Sequence, residues 1–165
     1  RSYGEYNGIL KQVIIDFKYK NKRSLTYPLG FLLFKLFEEQ RWEKPDYIIP
    51  VPLSRKRLSH RGFNQASLLC EFLSSKTQIP VLSNILIRVN ATEHQTKLGK
   101  YERQENVKDA FRVMENDMIK GNKILLIDDV YTTGSTLDEC SKVLIDAGAT
   151  KIYTLTLAVG TYIRR

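Results

Sequence analysis

The string Ile124-Leu125-Leu126-Ile127-Asp128-Asp129-Val130-Tyr131-Thr132-Thr133-Gly134-Ser135-Thr136 constrains this chain more than any other stretch. Four aliphatics in a row have no polar face, so they suit a short strand buried on both sides within a parallel sheet. Asp128 and Asp129 then fall at the carboxyl end of that strand, where open α/β sheets bind their ligands. Residues 132–136 are small and hydroxylated, include a glycine, and lead into a helical apolar period over 137–147. A glycine turn that opens a helix presents unpaired N–H groups and the positive end of the helix dipole, a setting for a phosphate. The two carboxylates need a different group, because an acid repels a phosphate. Their oxygens accept hydroxyl protons, which suits a vicinal diol. Diol and phosphate together describe a ribose 5-phosphate. For an isolated Asp-Asp, an acidic strand end followed by a Ser135 helix cap would explain the same residues.

A second constellation follows the predicted strand Tyr47-Ile48-Ile49. It runs Pro50-Val51-Pro52-Leu53-Ser54-Arg55-Lys56-Arg57-Leu58-Ser59-His60-Arg61-Gly62-Phe63-Asn64-Gln65-Ala66. Neither early proline can donate to a ladder, so the strand stops there, and an X-Pro bond in the loop is a candidate for the cis form. The loop leaves the sheet at the same edge as the acidic pair. Its arginines and lysine are candidates to neutralise phosphates. A proline turn before a solvated basic helix start reads the same residues without a ligand, and His60 reads as a loop residue rather than a base.

The chain has 165 residues, enough for one domain with a substantial core. Its net charge is +8, with basic clusters at 18–23 and 55–57, which calls for an anionic substrate or partner. A polyphosphate and a nucleic acid satisfy that equally. Cys70 and Cys140 each sit in an apolar helical pattern, so buried free thiols are expected. No Cys-x-x-Cys pair exists to hold zinc, and a reducing cytoplasm is the expected compartment. No apolar run is long enough for membrane insertion. The first residue is Arg1 rather than methionine, which reads as a chain trimmed from a longer one. A glycine loop ending in Gly-Lys-Ser/Thr is absent, which excludes a P-loop nucleotidase. The acidic pair lies too late in the chain for a phosphorylated receiver domain.

Periodicity predicts helices over 5–19 and 28–39, with Pro28 in a first turn, then the strand 47–49 and a helix over 64–76. A strand near 84–88, a strand over 110–114, the strand 124–127, the helix 137–147 closed by Gly148, and a strand over 152–159 complete the order. The alternation describes an α/β fold with a mainly parallel sheet, the two N-terminal helices covering one face. Residues 90–109 are polar, with little apolar periodicity. A loop of that length in a compact domain is usually functional.

The thirteen-residue string resembles the phosphoribosyl pyrophosphate (PRPP) loop of the type I phosphoribosyltransferases, with every position of that signature filled. Pro-Val-Pro-Leu, basic residues and then Arg-Gly-Phe-Asn-Gln resemble the ComF family of competence-associated, amidophosphoribosyltransferase-like proteins. Phe17-Lys18-Tyr19-Lys20 matches that family's Phe-Lys-Tyr segment, and the resemblance spans residues 9–159. It implies a single phosphoribosyltransferase domain with a flexible hood over 90–110. It implies that Asp128 and Asp129 hold the ribose hydroxyls, that Val130 and Thr132, Thr133, Gly134, Ser135 and Thr136 surround the 5-phosphate, and that Val51, Pro52, Leu53, Ser54, Arg55 and Lys56 bind pyrophosphate. Arg61, Asn64, Gln65, Arg88, Gln95, Arg103 and Asn106 belong to the family and hood signature, and Lys18 would face the anion. Mg²⁺ would enter with PRPP, held by PRPP oxygens and water, for transfer of a phosphoribosyl group to an acceptor during natural transformation and DNA uptake. The alternative is a PRPP-responsive module without catalysis, with single-stranded DNA or a competence helicase as partner and Tyr19 and Phe63 as stacking surfaces. ComF proteins commonly begin with a four-cysteine zinc module, and this chain has none. The oligomeric state is not legible.

Overall fold

The computed structural model describes residues 1–89, 107–115 and 117–160. The elements are β1 (Ser2–Glu5), α1 (Gly8–Tyr19), a 3₁₀ turn (Arg23–Leu25), α2 (Thr26–Glu38), β2 (Tyr47–Pro50), α3 (Arg55–Arg61) and α4 (Gln65–Thr77). They continue with β3 (Leu86–Arg88), β4 (Phe111–Val113), β5 (Lys123–Tyr131), α5 (Ser135–Asp146) and β6 (Lys151–Val159). Four strands form a wholly parallel sheet in the order β1-β6-β5-β2. β3 and β4 pair with each other as an antiparallel ribbon.

Ile124, Leu125, Leu126 and Ile127 are each fully buried, because strand alternation sends them to two covered faces. Leu125 and Ile127 join Ile48, Leu155 and Leu157 beneath Ile14 and Phe17 of α1, Leu29 and Leu33 of α2, and Leu69 and Leu73 of α4. Ile124, Leu126 and Ile49 pack on the opposite side against Leu137, Cys140 and Leu144 of α5, with Leu86 and Phe111 from the ribbon. The α/β fold with a mainly parallel sheet is as expected, and both N-terminal helices do lie on one face. Both thiols are free and buried, and burial pushes each well above its ordinary range. Among the described residues no helix is long and apolar enough to cross a membrane.

Four local expectations change. Residues 2–5 form a strand that periodicity missed. Ser-Tyr-Gly-Glu has no apolar alternation, and it is held at the sheet edge by its pairing with β6 (Ser2 opposite Thr156, Gly4 opposite Ala158). The first helix therefore starts at Gly8 rather than residue 5. The basic stretch forms a helix of its own, α3, begun by the Ser54 hydroxyl accepting from the Arg57 N–H and ended by Gly62 at φ 76°. No peptide bond among the described residues is cis. The Val51 N–H still donates to Ile127 O at 2.9 Å, so the chain follows β5 past Pro50 with trans bonds before turning away.

Candidate functional site

β5 outruns its apolar segment because β6 stays beside it, with Asp128 opposite Thr156 and Tyr131 opposite Val159. β2 ends earlier, its Pro50 opposite Ile127. The last residues of β5 are thus open on the β2 side, and a cleft of about 360 Å³ lies there. Asp128, Asp129 and Val130 line it from β5, Thr132 and Thr133 from the loop beyond, and Ser135 and Thr136 from the first turn of α5. Val51, Pro52 and Leu53 form the facing wall, joined by Arg57 and Arg61 of α3, Lys18 and Tyr19 of α1, Arg88 of β3, and Val107.

The loop into α5 is shaped by Gly134, whose φ is 86°. A Cβ there would stand 2.4 Å from the Tyr131 hydroxyl oxygen and 3.2 Å from Asp138 Oδ2. The Thr133 and Ser135 hydroxyls lie 2.8 Å apart in a hydrogen bond, on a Ser135 that is buried. The Thr133 and Ser135 hydroxyls and the N-terminal turn of α5 therefore border the same part of the cleft.

Asp129 pairs with Lys18, its Oδ1 2.7 Å from Nζ, and both side chains are largely buried. Its own N–H donates to Asp128 Oδ1 at 2.8 Å. Burial, reinforced by the neighbouring Asp129, pushes the Asp128 carboxyl up to about 7. Burial alone would lower the Lys18 ammonium, but the Asp129 carboxylate outweighs it and Lys18 is held above its ordinary range. Across the cleft, burial and then Arg61 lower the Arg57 guanidinium, and burial and then Arg57 lower that of Arg88. Arginine stays protonated under such shifts. The wall opposite the acids is thus a group of mutually repelling cations that an anion would relieve.

Arg61 is held in place: it donates to Tyr19 Oη and to Gln65 Oε1, each at 3.1 Å, with its guanidinium 4.8 Å from the Tyr19 ring centre. Asn64 caps α4 by accepting from the Ala66 N–H and donates to Val51 O at 3.0 Å, which ties the proline loop to that helix. Arg61 therefore reaches the cleft, while Asn64 and Gln65 support it from behind. Val51, Pro52 and Leu53 border the cleft, and Ser54 caps α3. Arg55 and Lys56 are exposed on α3 outside the cleft lining, as is His60. Arg57, which sequence reasoning missed, lines the cleft instead. Its spacing of four from Arg61 puts the two on one helix face, a signal available only once residues 55–61 are read as a helix. Gln95, Arg103 and Asn106 lie outside the described residues. Phe63 cannot serve as a stacking surface, because it is buried against Phe17 at 5.9 Å between ring centres with Arg23 over its ring. Tyr19, by contrast, is exposed, with the Arg61 guanidinium over one side of its ring.

Among the described residues, no group of three or more His, Cys, Asp and Glu side chains converges to hold a metal ion. No family model matches the chain. Competence protein F of Haemophilus influenzae is 38% identical to it over 160 residues, covering 94% of this chain and 70% of that protein. Competence protein ComFC of Bacillus subtilis is 34% identical over 158 residues, covering 95% and 62%. DNA utilization protein YhgH of Escherichia coli K12 is 33% identical over 152 residues, covering 90% and 66%. The chain thus spans about two thirds of the length of these relatives. Among solved structures, glutamine PRPP amidotransferase of B. subtilis superposes with a TM-score of 0.58 at 16% identity, over 86% of this chain and 30% of that one. Adenine phosphoribosyltransferase of Thermoanaerobacter pseudethanolicus gives 0.55 at 14% identity, over 88% and 75%. These two establish the fold as that of the type I phosphoribosyltransferases. With sequence identity running across nearly its whole length, the chain belongs to the competence protein F (ComF/ComFC) family.

Proposed function

We propose that the cleft binds PRPP and that the chain is a phosphoribosyltransferase-like protein serving DNA uptake, a role in keeping with relatives named for competence and for DNA utilization. One observation carries this reading: the acidic pair, the hydroxyl-rich glycine loop and a cluster of arginines border a single cleft. Each part suits one part of the ligand. Asp128 and Asp129 accept from the ribose hydroxyls, Thr132 to Thr136 with the first turn of α5 take the 5-phosphate, and Arg57, Arg61 and Arg88 face the pyrophosphate.

Mg²⁺ fits as a companion of the ligand rather than as a resident ion. The acidic pair is the only carboxylate group lining the cleft among the described residues, and Asp129 is already committed to Lys18. The ion would therefore be held by PRPP oxygens and water, as Mg²⁺ prefers, and would supply charge neutralisation on the pyrophosphate. The chain's own contribution to transfer is positional and electrostatic. The carboxylates fix the ribose and sit near the ring as it gains oxocarbenium character, while the arginines stabilise charge moving onto the leaving group.

PRPP with Mg²⁺ should raise the melting temperature, and replacing both Asp128 and Asp129 by alanine should abolish the rise. An unchanged rise in that variant would sink the ribose assignment. Pyrophosphate release from PRPP, screened over bases and amines, then tests transfer. A second reading, a PRPP-responsive module without catalysis, is favoured by the cleft lining: among the described residues its one aromatic is Tyr19, whose ring already carries the Arg61 guanidinium on one side. A uniformly negative screen with PRPP binding intact would select it. Salt-dependent binding of single-stranded DNA that survives Asp128→Ala would then identify the partner.

A further inference from the structure

Lys18 reaches the acidic pair from α1, an element that lies outside the strand–loop–helix carrying the pair. Its position is fixed from within the core, because the preceding residue, Phe17, is fully buried and packs on Phe63. The Lys18 side chain is 15% exposed and that of Asp129 12%, so the pair is largely withdrawn from water. Such a cation is costly unless it is bonded, and Lys18 bonds one specific oxygen, Asp129 Oδ1.

The second carboxylate is anchored in the same sense: Asp128 Oδ1 accepts the Asp129 N–H at 2.8 Å. Each acid therefore has one oxygen tied down by the protein. Among the described residues neither Oδ2 atom has a hydrogen-bond partner. Two carboxylates that each present one fixed, unused acceptor match two adjacent hydroxyl donors, and a single hydroxyl would leave one acceptor unanswered. Among the described residues, Arg57 and Arg61 of α3 also lie near the pair. Arg61 is held by Tyr19 and Gln65, and no bond joins either arginine to the acids. The orientation of Asp129 thus depends on Lys18.

We propose that Lys18 is a positioning residue that gives the acidic pair its preference for a vicinal diol over a single hydroxyl; this rests on the ribose-phosphate reading above. Above about pH 7, where both acids are ionised, Lys18 holds Asp129 beside Asp128 despite their like charge. Without it the two carboxylates separate, and the paired acceptors are lost while the phosphate loop is untouched.

The test compares ribose 5-phosphate with 2-deoxyribose 5-phosphate by calorimetric titration of the whole chain at pH 8, where both carboxylates are ionised, in the wild type, Lys18→Met and Lys18→Arg. Both sugars carry the same phosphate, so the loop serves as an internal control. The wild type should prefer ribose 5-phosphate by about tenfold or more, the worth of one hydrogen bond to a charged group. Lys18→Met should reduce the preference to within about twofold by weakening ribose 5-phosphate alone, and Lys18→Arg should keep most of it. A Lys18→Met protein that retains the full preference, or that loses both sugars in equal proportion, overturns the proposal. Wild-type protein that binds neither sugar, or both alike, overturns the ribose-phosphate reading and this inference with it. If Lys18→Met does not fold, Lys18→Leu takes its place with the same expectation, since it too removes both the charge and the donor.

Discussion

Gly134 has no room for a methyl group: a Cβ would meet the Tyr131 hydroxyl, and φ of 86° is a region that L side chains avoid. Gly134→Ala should therefore cost about 1–3 kcal/mol in chemical denaturation. It should also weaken ligand binding by displacing the Thr133–Ser135 pair, where Thr136→Ala would leave the backbone alone. Asp128 gives a residue-level prediction of a different kind. Its folded-state pKa of about 7 lies above the ordinary carboxylate value, so between those values the folded chain holds a proton that the unfolded chain has released. Stability contributed by this group is full at low pH and declines as pH rises towards 7, where Asp128 ionises in the fold as well. Urea denaturation between pH 4 and 8 should show that decline, and Asp128→Asn should flatten it relative to the wild type. A variant with an unaltered slope would show that burial does not keep Asp128 neutral.

At the level of elements, α3 decides which basic residues matter. Arg57 and Arg61 lie one turn apart on the cleft side, whereas Arg55 and Lys56 are exposed. Arg57→Ala should weaken PRPP binding by about tenfold or more, the loss of a charge-assisted contact. Arg55→Ala should change it by less than about twofold, as expected for a screened surface charge. Titration of both variants decides the matter, and equal losses would show that charge density rather than position governs the site. The same helix marks the limit of what the residues revealed beforehand. β5 and α5 were legible because four aliphatics and an amphipathic period encode burial locally. α3 has no apolar stripe, and β1 is specified by its pairing with β6 rather than by its own pattern. The Lys18–Asp129 pair joins residues 111 positions apart, which no local period can announce, and the place of Asn64 behind Val51 is of the same kind.

For the molecule as a whole, the cleft is where stability and function pull apart. The core is complete on both faces of the sheet, so it does not need the acidic pair. The pair instead brings a half-buried carboxyl, Asp128, that ionises reluctantly beside another carboxylate. Asp128→Asn keeps an oxygen to accept the Asp129 N–H while removing that charge. In the absence of ligand at pH 8 its melting temperature should therefore equal or exceed that of the wild type. In the wild type, PRPP with Mg²⁺ at about 100 times its dissociation constant should add about 2.7 kcal/mol. For a chain of this size that corresponds to a rise of roughly 5–10 °C. Asp128→Asn should lose most of that rise, because an amide supplies a poorer acceptor for a ribose hydroxyl. The two measurements together separate a ligand site from a structural one: a residue kept for the fold would lower the unliganded melting temperature when replaced. A wild-type rise reproduced in full by Asp128→Asn would remove the acidic pair from the ligand site.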